Sequence, residues 1–158
     1  MYKKVLVPLD GSELAECSLN HIRNLAKDGA IEEVVLLNAV VIELPLREIN
    51  ADEDMFSKGF DYMAFREARL GRSRKYLDSV QAKLSSEGIK VKTESLETGR
   101  PADLIIDYAG ENGVDMIVIA THGYSGMRNM LLGSVAFRVL HEANMPVLLI
   151  RPKACSIS

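Results

Sequence analysis

Four short runs of aliphatic residues constrain this chain more than any other feature of it. Val5-Leu6-Val7, Val34-Val35-Leu36-Leu37, Met116-Ile117-Val118-Ile119 and Val147-Leu148-Leu149-Ile150 are nearly unbroken in apolar side chains, the last bounded by Pro146 and Pro152. Strands read this way when both of their faces are covered, whereas a strand with one wet face alternates. A fifth run, Ile89 to Leu96, does alternate: Ile89, Val91 and Thr93 stand against Lys90, Lys92 and Glu94, which places it nearer an edge of a sheet.

Helical patterns fill the gaps. From Ser12 to Lys27, Leu14, Ala15, Ser18, Leu19, Ile22, Leu25 and Ala26 share one stripe, and Asp10 or Ser12 is the N-cap. Between about Tyr62 and Ser86, Met63, Leu70, Leu77 and Leu84 recur at every seventh position with Val80 beside them, and Gly88 closes the pattern. Pro101 opens a third helix whose inner face carries Leu104, Ile105, Tyr108 and Ala109, stopped by Asn112-Gly113, and a fourth runs from Ser134 to Ala143. Strand and helix therefore alternate throughout. Right-handed crossovers turn that order into a single-domain doubly wound α/β sandwich spanning residues 1–158, a mostly parallel sheet with helices on both faces. Its one irregular stretch is an acidic insertion at about 42–59, with Glu43, Glu48, Asp52, Glu53 and Asp54 against Arg47 and Lys58, read most simply as a solvated loop.

Composition narrows the function. Nineteen basic against twenty-two acidic residues leave a net charge of −3, which gives the molecule no field to attract a polyanion, so nucleic acid is not an expected partner. No segment approaches the roughly 18 apolar residues of a membrane span, and the start Met1-Tyr2-Lys3-Lys4 lacks the apolar stretch of a signal peptide, so no membrane partner and a cytoplasmic location are expected. Cys17 and Cys155 have no metal-ligand spacing and read as free thiols of a reducing compartment.

In an open sheet of this kind the ligand site is expected outside the carboxyl ends of the strands, where strand order reverses. Two segments fall at strand ends. The first is Pro8-Leu9-Asp10-Gly11-Ser12, which puts a carboxylate and a helix N-terminus together; Asp10 serves there either as a helix cap or as a partner for ribose hydroxyls or metal-bound water. The second is Ala120-Thr121-His122-Gly123, continuing through Tyr124-Ser125-Gly126-Met127-Arg128 to Gly133-Ser134 and a helix. Glycines so spaced let backbone approach phosphates, and Gly133-Ser134 offers free amides and a hydroxyl where the helix dipole favours an anion. A plain glycine-rich connection reads from the same residues. Neither a Walker A loop nor the dinucleotide fingerprint fits, because no Lys follows the glycines and the segment follows the fourth strand.

Several other residues are set aside. His122 reads as loop-ordering rather than catalytic, His21 and His141 as surface or partly buried helix residues, and Met127-Met130-Leu131-Leu132 as packing beneath a loop. Arg66, Arg69, Arg72, Arg74 and Lys75 read as a solvated helix face interrupted by Glu67 and Asp78.

Taken together, Val5-Leu6-Val7-Pro8-Leu9-Asp10-Gly11-Ser12, Gly99-Arg100-Pro101-Ala102, Val114 to Ile119, Thr121-His122-Gly123, Gly133-Ser134-Val135 and Pro146 to Ile150 make the chain resemble the universal stress protein family over nearly its whole length. That resemblance implies a five-stranded parallel sheet of Rossmann-like, adenine nucleotide alpha hydrolase-like type, a homodimer and, in one branch, bound ATP. The branch carries glycine, two residues, glycine, nine residues, then glycine with Ser or Thr; here Gly123, Gly133 and Ser134 match, and Ala120 takes the place of the first glycine. Carried over, the resemblance gives Asp10 the ribose, the backbone at Pro8, Leu9, Ala39 and Val40 the adenine, and Gly123, Gly133, Ser134 and Val135 the phosphates, with Mg²⁺ accompanying them. It also pairs the last strand with its copy in a second subunit, Val147, Leu149 and Arg151 lying at that seam. The function so implied is that of a dimeric nucleotide-dependent stress-response switch or sensor acting on a downstream protein. A protein-interaction module without ATP and a slow ATPase are the rivals; no residue pair with the roles of water-positioning base and transition-state cation stands out for the last.

Overall fold

The computed structural model describes residues 1–44, 59–121 and 132–151. Among these, strands and helices alternate as β1 (Tyr2–Pro8), α1 (Glu13–Lys27), β2 (Ile31–Val40), α2 (Tyr62–Ser86), β3 (Val91–Glu97), α3 (Pro101–Glu111), β4 (Met116–Ala120), α4 (Ser134–Glu142) and β5 (Val147–Ile150). The five strands form one sheet in the order β3-β2-β1-β4-β5, every neighbouring pair parallel.

This order follows from handedness. From β1 the chain steps through β2 to β3 in one direction, then crosses back over β1 to β4 and continues to β5. Right-handed crossovers put the helices of the first direction on one face and those of the return on the other. Two cores result. On one face Val5, Val7, Val34, Leu36 and Val118 meet Ile22 of α1 and Leu77, Val80 and Leu84 of α2. On the other, Leu6, Val35, Leu37, Ile117 and Ile119 meet Ile105 and Ala109 of α3 and Ala136 and Val139 of α4. Alternate residues of the central strands thus feed opposite cores, the physical reason those strands are apolar throughout. β3 lies at an edge and shows the alternation expected of it.

The Asp115 carboxylate locks β4 against β1 by accepting from the amides of Lys3 (2.6 Å) and Lys4 (3.0 Å). Within α2, Leu70, Leu77, Val80 and Leu84 are buried as the seven-residue period predicts, but Met63 is 60% exposed. The helix explains the difference by its length: 25 residues rise about 37 Å, while the seven residues of β3 span only about 23 Å, so the first turns overhang the sheet with no strand beneath them. Cys17 is disulfide-bonded, which corrects the expectation of a free thiol at that position. Cys155 lies outside the described residues. Among the described residues no helix is long and apolar enough to cross a membrane.

One buried charge sits on the sheet. Glu33 of β2 is 5% exposed and lies 2.9 Å from the Lys90 ammonium and 3.3 Å from that of Lys92. The hydrogen bond from Lys90 outweighs the opposing effect of burial and holds its carboxyl below the ordinary 4.5. A carboxylate depressed in the fold stabilises it above its unfolded pKa, and that contribution is lost as pH falls through the folded value. Glu33→Gln should therefore lower the urea midpoint at pH 7, and the gap from the unsubstituted protein should close as the titration is repeated below pH 4.5.

Candidate functional site

The reversal of strand order falls between β1 and β4, and a cleft of about 820 Å³ opens there, at the carboxyl ends of the strands. Pro8, Leu9 and Asp10 line it at the end of β1, and Ala39 and Val40 at the end of β2. Ala120 lines it from β4, and Gly133, Ser134 and Val135 from the start of α4. Nine of the ten residues singled out from the sequence are thus brought together; the tenth, Gly123, lies outside the described residues with His122, Met127, Met130 and Leu131. Of the insertion at about 42–59, residues 45–58 also lie outside them, while Glu43 lines the cleft.

The turn after β1 is built by short-range hydrogen bonds. Ser12, not Asp10, caps α1, its hydroxyl accepting from the Ala15 amide at 3.1 Å. Asp10 supports the cap from outside: its Oδ1 accepts from the Ser12 amide (2.9 Å) and the Ser12 hydroxyl (2.5 Å), holding the carboxylate at the cleft. That tight return needs Gly11, whose φ of +86° is closed to most side chains.

Across the cleft, the Thr121 carbonyl accepts from the Gly133 amide at 2.5 Å, tying together the two ends of the 122–132 connection. Thr121 is itself fixed by its amide, which donates to Ile150 at 2.9 Å. The first intrahelical bond of α4 runs from Phe137 to Gly133, and no side chain caps this helix. The amides of its first turn therefore face the cleft end of the helix as donors, with the positive end of the dipole behind them. Such an end suits an anion. Ala120 is the last residue of β4, buried and paired in register with Ile150, and no non-glycine residue among those described has a positive φ. The methyl group there costs no backbone strain, because the strand conformation it occupies is open to any residue.

Sequence reasoning missed the α2 wall. Arg69, Arg72, Ser73 and Tyr76 line the cleft from one stripe of that helix, at the spacing of residues that share a face. Of the basic run read as a solvated face, Arg72 is exposed and Arg69 half-buried, and both border the cleft. Arg66 instead pairs with Glu97 at the end of β3, and Arg74 lies 3.9 Å from Glu67. Ser73 bonds Ser95 at 2.7 Å and the Tyr76 hydroxyl donates to Glu16 at 3.2 Å, which fixes the stripe against β3 and α1. The i, i+3, i+4, i+7 spacing was the available signal, but periodicity alone does not say which stripe hangs over the strand ends.

Fold and cleft together define a doubly wound α/β protein with a crevice at its topological switch point. Residues 1–151 match the family model of the universal stress protein family, and the chain belongs to that family. It is 32% identical to Universal stress protein MJ0577 of Methanocaldococcus jannaschii, over 97% of each chain. The solved structure of MJ0577 aligns with a TM-score of 0.77 at 31% identity, covering 96% of each chain. It is also 31% identical to Universal stress protein YxiE of Bacillus subtilis, over 96% of this chain and all of that one. Two more distant structures of the same fold have a TM-score of 0.62: an Arabidopsis thaliana family member with AMP bound, 17% identical over 94% of this chain and 91% of that one, and a universal stress protein in complex with cAMP, 18% identical over 96% and 98%.

Replacing Gly11 by Ala should cost about 1–2 kcal/mol of stability, measured by urea unfolding, because the left-handed conformation at this turn is retained by the Asp10–Ser12 bonds.

Proposed function

We propose that this universal stress protein binds ATP with Mg²⁺ in the cleft and works as a dimeric nucleotide-dependent switch or sensor in a stress response. The observation that carries the reading is the uncapped N-terminus of α4 facing a cleft whose opposite rim holds the Asp10 carboxylate. Helix amides suit phosphate oxygens, a carboxylate suits ribose hydroxyls, and the apolar ends of β1 and β2 suit a flat base. The residues to hold the nucleotide are Asp10 for the ribose, Pro8, Leu9, Ala39 and Val40 for the adenine, and Gly123, Gly133, Ser134 and Val135 for the phosphates, with Ala120 beside them. The AMP and cAMP of the distant family members support an adenine ligand. Mg²⁺ would be held chiefly by phosphate oxygens and water, as this ion usually is, with Asp10 and the Ser134 hydroxyl the cleft oxygens within the same group of residues.

Calorimetric titration of the nucleotide-free protein with Mg-ATP tests this. One site per chain is expected, weakened at least about tenfold by Gly133→Asp, which sets a carboxylate against the phosphates. Gly133 has φ −67°, so the substitution leaves the backbone unstrained and its effect reads on the ligand. No heat up to millimolar ATP would sink the nucleotide reading and leave the protein-interaction module in its place. Phosphate release above the buffer rate, abolished by Asp10→Ala, would make the protein an ATPase.

The dimer is proposed through β5, which among the described residues pairs with β4 alone and so ends the sheet on that side. Val147, Leu149 and Arg151 would face their copies across an antiparallel seam. Leu148, 36% exposed, lies on the same edge, and Leu148→Lys should shift the sedimentation mass from dimer to monomer. An unchanged dimer would place the interface elsewhere.

A further inference from the structure

Among the described residues, the charged side chains lining the cleft are Asp10, Glu43, Arg69 and Arg72, two negative and two positive. Their arrangement bears on which ligands the cleft accepts. Without the arginines, an anionic ligand would meet two carboxylates and only the partial charge of about +0.5 at the α4 terminus. Among the described lining side chains, only those of the α2 wall offset the charge of a phosphorylated ligand.

Geometry separates these two arginines from the rest of their run. Arg66 is held by Glu97 and Glu67, and Arg74 lies within 4 Å of Glu67, at 3.9 Å. Arg69 and Arg72 make no ion pair among the described residues, and both face the cleft, on the stripe that Ser73 and Tyr76 anchor through Ser95 and Glu16. They reach it from the face that α1 and α2 cover, whereas the α4 amides reach it from the face of α3 and α4. Two anion-recognising elements thus stand on opposite walls. A guanidinium has a planar fork of donors matched to phosphate oxygens, and it stays charged at every physiological pH.

Resting on the nucleotide reading, we propose that Arg69 and Arg72 are specificity-determining residues that read the phosphate charge of the ligand from the wall opposite α4, so that the cleft selects phosphorylated adenine ligands over the nucleoside. Adenosine, AMP and ATP should bind with increasing affinity, and the increment from adenosine to ATP should depend on the pair.

The test titrates the full-length protein and its Arg69→Gln/Arg72→Gln variant with adenosine, AMP and Mg-ATP by calorimetry, at low and at physiological salt. Glutamine keeps length and hydrogen bonding but removes charge. The variant should lose ATP affinity about tenfold to a hundredfold and flatten its salt dependence, while adenosine affinity stays within about twofold. Arg69→Lys/Arg72→Lys, which keeps the charge without the fork, should recover part of the loss. The proposal is overturned if ATP affinity is unchanged, or if adenosine and ATP weaken together, as a merely structural role would make them. Arg72→Gln alone, at an exposed position, serves as the second variant should the double one fail to fold. An unsubstituted protein that binds none of the three ligands overturns the nucleotide reading itself and this proposal with it; one that binds ATP undiminished by the substitutions overturns this proposal alone.

Discussion

The crossing of the chain back over β1 is the constraint on which the rest of the structure depends. Because each crossover is right-handed, reversing direction in the sheet also moves the helices to its other face. Two connections therefore leave the carboxyl ends of β1 and β4 in opposite directions, and the space between them cannot be filled by either helix. The cleft is a consequence of topology before it is a consequence of any side chain.

Local chemistry then shapes that opening. On one rim, Gly11 permits the tight return that lets Asp10 brace the cap of α1 and remain at the cleft edge. Facing it, α4 begins without a capping side chain, so its first amides need a partner from outside the helix. The Thr121–Gly133 bond sets the distance between β4 and α4 regardless of what the connection between them does. A third wall comes from α2, whose cleft-side stripe carries Arg69 and Arg72. Among the described lining residues the charge is balanced rather than uniformly positive.

Much of this was legible in the residues. The unbroken aliphatic runs at 5–7, 34–37, 116–119 and 147–150 announced doubly covered strands, and the alternation of Ile89 to Leu96 announced an edge; β3 does lie at one. Asp10 and Gly133-Ser134 stood out because carboxylates and glycines at strand ends carry chemistry in folds of this kind. Ser73 and Tyr76 did not, since each reads locally as an ordinary helix residue, and Arg69 and Arg72 read as part of a solvated helix face. Met63 joined the apolar period of α2 and is nonetheless exposed, because a helical pattern carries no information on how far the helix outruns its sheet. The disulfide at Cys17 was invisible for a similar reason: pairing is a property of distance in the fold.

What the sequence by itself determined was periodicity: which segments are strands, which are helices, and hence a parallel α/β sheet. These follow from interactions among residues a few positions apart, such as the Ser12 cap on Ala15, and such interactions are written in spacing. Only the tertiary structure decided which helix stripe borders the cleft, that Ala120 sits in a strand conformation indifferent to its methyl group, and that Glu33 rather than any cleft carboxylate is the buried charge of the sheet. Each depends on residues distant in the chain meeting across a sheet, where the twist and relative lengths of whole elements set the distances. No short window of sequence contains those lengths.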